Sequence, residues 1–268
     1  MQRGEKLPIL GVGVNAIDYD GAVKRIIEAA KLGKPFSVTA LAVHGVMTGL
    51  QDHTHRYRLN RLNLVVPDGQ PVRWALNLLY RAGLKDRVYG PNLMLRVCEA
   101  ATRECVPIFL YGSRHEVMSR LEKNLRRKFP GIRIVGTATS RFRMANDEEN
   151  AEVIASIRET GAKIIFVGLG CPRQEVFAYE NAEELSCAVI AVGAAFDFHA
   201  GTQPQAPRWM QDRGLEWLFR LMCEPRRLWR RYIILNPLFC WNLARQWLSP
   251  EVFRPEDDLK PSRRQNYV

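Results

Sequence analysis

From about residue 9 to about residue 195 the chain alternates short apolar runs, rich in β-branched residues, with segments of helical periodicity. The runs span residues 9–14, 36–40, 62–66, 108–111, 132–136, 164–167 and 188–192. A strand that is apolar at nearly every position is buried on both faces, and strands of that kind separated by helices form parallel sheets. The pattern therefore predicts an α/β fold, a Rossmann-like, mostly parallel sheet flanked by helices. In open sheets of this type ligands bind beyond the carboxyl ends of the strands. That rule directs attention to residues 39–44, 67–69, 111–113, 168–175 and 193–201. After residue 205 the pattern becomes helical only and dense in Arg and Trp, and after Ser249 it becomes a polar tail ending in PEDDLKPSRRQNYV. The expected organisation is a core over residues 1–205, a helical, basic, membrane-associating appendage over 206–249, and a tail over 250–268 without fixed structure.

Lys and Arg number 39 against 28 Asp and Glu, a formal charge of +11, which favours anionic partners such as lipid headgroups and diphosphates. Nucleic acid is not expected, because no helix-turn-helix, zinc-finger or RNP pattern accompanies the charge. The six cysteines, at 98, 105, 171, 187, 223 and 240, form no C-x-x-C pair and read as reduced, mostly buried thiols without a zinc site. The opening MQRGEKLPILGVGV lacks a small-residue cleavage site and reads as a first strand rather than a signal peptide. The best candidate for a membrane span, residues 232–244, is short and contains Asn236 and Pro237.

The segment EPRRLWRRYIIL is amphipathic. At about 100° per residue, Arg226, Arg230, Arg227 and Arg231 fall within an arc of about 140°, with Leu228, Trp229, Tyr232, Ile233 and Leu235 opposite. Pro225 suits a first helical position and Pro237 is expected to stop or kink the helix after about three turns. Two readings stay open here: an interfacial membrane helix, or a helix packed on the core with a solvated basic face.

Asp68, in VVPDGQ, follows directly on a buried strand, where a carboxylate can take a proton from an attacking hydroxyl; Pro-Asp-Gly is equally ordinary turn chemistry. The loop GLGCPRQE offers Gly168 and Gly170 for close backbone approach, with Arg173 and Gln174 near a helix start, and structural glycines explain it as well. It matches neither G-x-G-x-x-G nor Walker A, so nicotinamide and nucleoside-triphosphatase chemistry lack their fingerprints. Asp18-Tyr19-Asp20 has the form of a metal-binding Asp-x-Asp, but it opens a helix and reads as a cap, so no metal and no cofactor is expected. His53, His55, Arg56 and Arg58 read as a solvated polar stretch; His115 falls in the first turn of a helix and His199 in a loop.

The segments VTALAVHGVM, VVPDGQPVRWA, DRVYGPNLM, PIFLYGS, FVGLGCPRQE, AVGAAFDFHAG and APRWMQDRGLEWLFRLMCEPRRLWRRY together resemble the WecG/TagA/CpsF glycosyltransferases over nearly the whole chain before the tail. The resemblance implies a Rossmann-like core and a metal-independent, inverting transfer of a hexose from a UDP-sugar to a polyprenyl-diphosphate-linked acceptor. The cell-surface polysaccharide product, an anionic membrane surface as partner, and a cytoplasmic location on the inner face of the plasma membrane follow from it. It places the catalytic carboxylate at Asp68, substrate contacts at Thr39, Arg87, Gly170 and Gln174, and lipid or diphosphate contacts at Arg220, Arg227 and Arg230. Two positions depart from the family pattern: Leu41 stands where the family has Asn, and Gln205 where it has Arg. A homo-oligomer is left open. A rival class is a peripheral membrane module of polysaccharide assembly that kept the sheet and lost the chemistry.

Overall fold

The structure is a computed structural model that describes residues 4–141, 143–253 and 258–267. The expected first strand is two: β1 (Lys6–Ile9) and β2 (Val12–Asn15) form an antiparallel hairpin. Its two-residue turn places Leu10 and Gly11 at φ of 51° and 80°. Leu at positive φ is costly and carries no turn signal, so an apolar run hides the reversal.

The remaining strands, β3 (Phe36–Leu41), β4 (Leu64–Pro67), β5 (Ile108–Gly112), β6 (Ile134–Ala138), β7 (Ile164–Gly168) and β8 (Ala188–Ala191), form one six-stranded sheet in the order β4-β3-β8-β7-β5-β6. Every pairing is parallel. The predicted α/β architecture is thus the observed one. Apolar cores cover both faces: one receives the helices Tyr19–Leu32, Gly90–Arg103, His115–Lys128 and Ala195–Ala200, the other Val43–Gln51, His53–Arg61, Gln70–Tyr80, Asp147–Glu159 and Arg173–Leu185. The helix after β8 goes to the first face, whereas those after its neighbours β3 and β7 go to the second. That divergence opens a crevice at the carboxyl ends of these strands.

Asp18 caps the Tyr19–Leu32 helix by accepting from the Gly21 N–H at 2.9 Å, and Asp20 pairs with Arg96 on the surface. The Asp-x-Asp is therefore capping chemistry. The expectation of a solvated 53–58 stretch fails, because the His53–Arg61 helix buries His55, Arg56 and Arg58. Arg56 reaches Asp258 at 2.5 Å and Arg58 reaches Glu180 at 3.1 Å, which compensates the buried charge. The thiols are free as expected, but not mostly buried, since Cys105, Cys223 and Cys240 are exposed.

Beyond the core, the short helix Arg208–Asp212 leads to Glu216–Cys223 and then to Pro225–Trp229, a π turn Arg230–Ile234, and Leu235–Leu248, the last three continuous. Pro237 neither stops the helix nor ends it, because the wider π turn immediately before it accommodates the missing N–H and the ring. The expected division into a cationic and an apolar side is not realised, because each side mixes arginine with apolar residues. Leu228 and Tyr232 pack inward, Trp229, Ile233 and Ile234 face out, and Arg231 is drawn in. Among the described residues no helix is long and apolar enough to cross a membrane.

The tail departs from expectation as well, although residues 254–257 lie outside the described residues. Asp258 binds Arg56 and Asn60, Arg264 donates to Asn181 at 2.6 Å, Asn266 donates to Asp147 at 2.7 Å, and Tyr267 bridges Met144. Its polar side chains find matched partners on the core, which composition alone does not reveal.

Gly112 ends β5 at φ +109°, and a Cβ there would lie 2.9 Å from the Gly168 backbone of the neighbouring strand. Gly112→Ala is expected to cost at least about 2 kcal/mol in urea unfolding. Gly83→Ala, at φ +66° with nothing within 4 Å of the new carbon, should cost only about 1 kcal/mol.

Candidate active site

A cleft of about 790 Å³ lies at the ends of β3, β4, β7 and β8, beneath the Glu216–Cys223 helix and the arginines that follow it. Asp68 is one residue past the last β3–β4 pair, Leu41 with Pro67, and its N–H extends the ladder to the Leu41 carbonyl at 3.1 Å. The backbone therefore fixes where the carboxylate points. Asp68 Oδ1 accepts from the Gly90 N–H, at the start of the Gly90–Arg103 helix, at 2.6 Å. Burial raises its pKa to about 6; Arg87 and Arg220 oppose that rise and Glu216 adds to it. Desolvation outweighs the nearby positive charge, which leaves a carboxyl poised to accept a proton close to neutrality.

Arg87 does not line the cleft. Its Nη2 donates to Glu216 Oε2 at 2.6 Å, its guanidinium lies 4.3 Å from the centre of the Tyr89 ring, and the Tyr89 hydroxyl donates to Glu216 Oε1 at 2.9 Å. Gln205 in turn donates to the Tyr89 oxygen at 3.3 Å, so it ties the start of the appendage to the same group. Arg87, expected to contact substrate, forms a clasp between core and appendage in this structure.

The loop after β7 behaves as a built unit. Gly170, at φ +78° with open space around it, donates its N–H to Gln174 Oε1 at 3.2 Å. Gln174 Nε2 donates to Glu175 Oε1 at 2.9 Å, and that same oxygen accepts from Thr39 Oγ1 at 3.0 Å. Gly170 and Gln174 face the cleft, whereas Thr39 is wholly buried beneath it and reaches the site only through Glu175. Leu41 also lines the cleft and packs so tightly on Gly45 that a Cβ there would come within 2.3 Å of Leu41 Cδ1. The family's polar side chain is thus replaced by an apolar wall.

The rim is basic. Arg220 and Arg227 line the cleft, Arg220 stacking 5.7 Å from the Phe198 ring centre and Arg227 paired with Glu224. Arg230 does not reach it; its side chain turns outward over Trp229 at 5.2 Å. Arg231 lines the cleft in its place, with a buried Nε that has no hydrogen-bond partner. Burial lowers the pKa of Arg231, with Arg220 adding to the effect. Arg231 was visible in the sequence as a fourth Arg on the wheel, four residues after Arg227 and so on the same side of the helix. His199 lies in the Ala195–Ala200 helix rather than a loop, its Nε2 2.9 Å from the Pro91 carbonyl oxygen.

The family model "Glycosyl transferase WecG/TagA/CpsF family" matches residues 7–252, and the chain belongs to that family. It is accordingly a glycosyltransferase of cell-surface polymer synthesis.

The folded carboxyl of Asp68 holds its proton more tightly than the unfolded one, whose pKa is near 3.8. Its ionisation therefore costs stability as pH rises from about 4 to about 6, and the full cost is present above that window. Asp68→Asn is expected to unfold at higher urea than the parent at pH 8, by up to about 2–3 kcal/mol, with the difference vanishing at pH 4. A variant less stable than the parent at both pH values would refute the desolvated carboxylate.

Proposed function

We propose that the chain transfers a hexose from a UDP-sugar to a polyprenyl-diphosphate-linked saccharide, with inversion at the anomeric carbon and with no metal bridging the diphosphate. The observation that carries this reading is a desolvated carboxyl with a pKa of about 6 facing a cleft rimmed by arginines. In the transfer, Asp68 takes the proton of the acceptor hydroxyl as that oxygen attacks the anomeric carbon from the face opposite UDP. The bond from the anomeric carbon to the diphosphate oxygen breaks, and UDP leaves with the electron pair. Arg220 and Arg231 meet the negative charge that develops, joined by Arg227 once it lets go of Glu224. Gln174, already oriented through Gly170 and Glu175, positions the donor sugar. Leu41 in the wall favours a donor that presents a less polar edge there than the family's Asn would accept.

The appendage also supplies the membrane contact in this reading. Trp229, Ile233, Ile234, Leu238 and Trp241 are exposed on its outer side, Trp241 at 66% and Ile233 at 58%, beside exposed Arg226 and Arg230. Amphipathic aromatic and cationic side chains of this kind seat a helix in the headgroup layer of an anionic leaflet, here the inner face of the plasma membrane. A lipid-linked acceptor would then reach the cleft from the surface to which the enzyme is bound.

UDP release from UDP-hexoses with a polyprenyl-diphosphate monosaccharide or disaccharide tests the chemistry. Asp68→Asn should lower kcat by about 10²–10⁴-fold while the circular dichroism stays that of the parent. Turnover by this variant at the parental rate would remove Asp68 from the chemistry, and a parent that releases no UDP would leave the reading of a non-catalytic assembly module. In the parent, kcat/KM is expected to rise with pH through about 6, as Asp68 loses its proton in the free enzyme. Arg227→Ala should lose activity without losing the fold.

Flotation with vesicles tests the second part. Binding should need anionic lipid, weaken as salt is raised, and be lost in Ile233→Asp together with Trp241→Asp. Equal binding of parent and variant would remove the appendage from the membrane contact.

A further inference from the structure

Beneath the cleft, His55, Cys171 and Glu175 place one ligand atom each so that all three lie within 4.8 Å of one another. They come from the His53–Arg61 helix, the loop after β7 and the first turn of the Arg173–Leu185 helix. His55 is only 2% exposed, yet neither ring nitrogen has a hydrogen-bond partner. Glu175 Oε2 is likewise buried without a partner, although Oε1 accepts from both Thr39 and Gln174. Buried polar atoms are nearly always satisfied, and each one left open costs about 1–3 kcal/mol. One imidazole nitrogen and one carboxylate oxygen converging with the Cys171 thiol form a donor set that a cation would complete.

We propose that this cluster binds a zinc ion. One imidazole nitrogen, one thiolate and one carboxylate suit Zn²⁺, whereas Mg²⁺ and Ca²⁺ call for oxygen donors throughout. Zinc bonds of about 2.0–2.3 Å set tetrahedral ligand atoms about 3.5 Å apart, so side-chain shifts of about 1 Å close the site. On binding, the Cys171 sulfur forms the bond to zinc and its proton passes to solvent; the thiolate and the ionised Glu175 then balance the two positive charges. Cys171 and Glu175 also line the cleft, which leaves the fourth position to water.

The ion would act as a clip. It fixes the Glu175 oxygen that Thr39 and Gln174 do not use, and so pins the loop bearing Gly170 and Gln174 to the His53–Arg61 helix. Sequence spacing conceals the site, since His55 stands more than a hundred residues before the other two donors.

Metal content decides the matter without any sugar substrate, so its outcome is independent of the transfer reaction. The full chain is stripped with chelator, mixed with equimolar ZnCl₂, desalted and assayed by mass spectrometry. The parent and His53→Gln should each retain about one zinc per chain, and Cys171→Ser and His55→Gln at least about 10-fold less. Loading the parent with Co²⁺ should give a sulfur-to-cobalt charge-transfer band that Cys171→Ser lacks. Circular dichroism confirms that the variants are folded, and the cobalt spectrum of the parent stands if one of them is not. A parent that keeps no zinc and shows no such band, or folded variants that keep as much zinc as the parent, would overturn the site.

Discussion

Glu216, on the appendage, has both carboxylate oxygens held by the core, one by Arg87 and the other by Tyr89. The pair is buried, and breaking a buried ion pair by removing one partner typically costs about 3–5 kcal/mol, because the other charge is stranded. The roof over the cleft is therefore attached at a point where undocking is expensive. The same pair shapes the chemistry beneath it. Arg87 lowers the pKa of Asp68 and Glu216 raises it, so the two offset each other in part and burial sets the outcome. Had Arg87 faced the cleft alone, its charge would have drawn Asp68 toward the ordinary carboxylate range and made it a weaker base.

That commitment of Arg87 redistributes the positive charge available to a ligand. Arg227 is also engaged, by Glu224, and Arg120 by Glu116, while Arg114, Arg220 and Arg231 line the same cleft. Arg231 is the most unusual, because burial disfavours its charged form while its Nε finds no acceptor. An anion in the cleft would supply the missing acceptor and compensate the desolvated charge at once, in a setting where charge-assisted hydrogen bonds are strongest. Binding of a diphosphate would thus relieve a cost already present in the folded protein.

The layers of the fold were legible because strand burial on both faces writes itself as uninterrupted apolar runs, and six of the seven runs correspond to strands of the parallel sheet. Asp68 was legible for the same reason, since the end of a buried strand can be counted. What escaped was the pairing of buried polar groups across long separations. Glu216 is 129 residues from Arg87, and nothing in the local pattern of either announces the other. Arg56, Arg58 and His55 looked solvated because charged residues usually are, and only the packed structure shows the carboxylates that permit the two arginines inside. The hairpin in the first run escaped because Leu10 adopts a conformation that residues of its kind avoid.

The 225–235 segment ties the cleft to the outer face of the appendage. At helical spacing Arg227 and Arg231, four residues apart, share the side that lines the cleft. Arg226 and Arg230 lie on the exposed side with Trp229, Ile233 and Ile234, within a single stretch of helix. Arg231 and Ile234 are three residues apart, roughly 4–5 Å along the axis at the rise of a helix. On the proposed reading, that spacing sets a cleft-lining guanidinium about one helical turn from side chains that rest among headgroups. On that reading one helix would hold both the lipid surface and a guanidinium for the diphosphate that the surface presents.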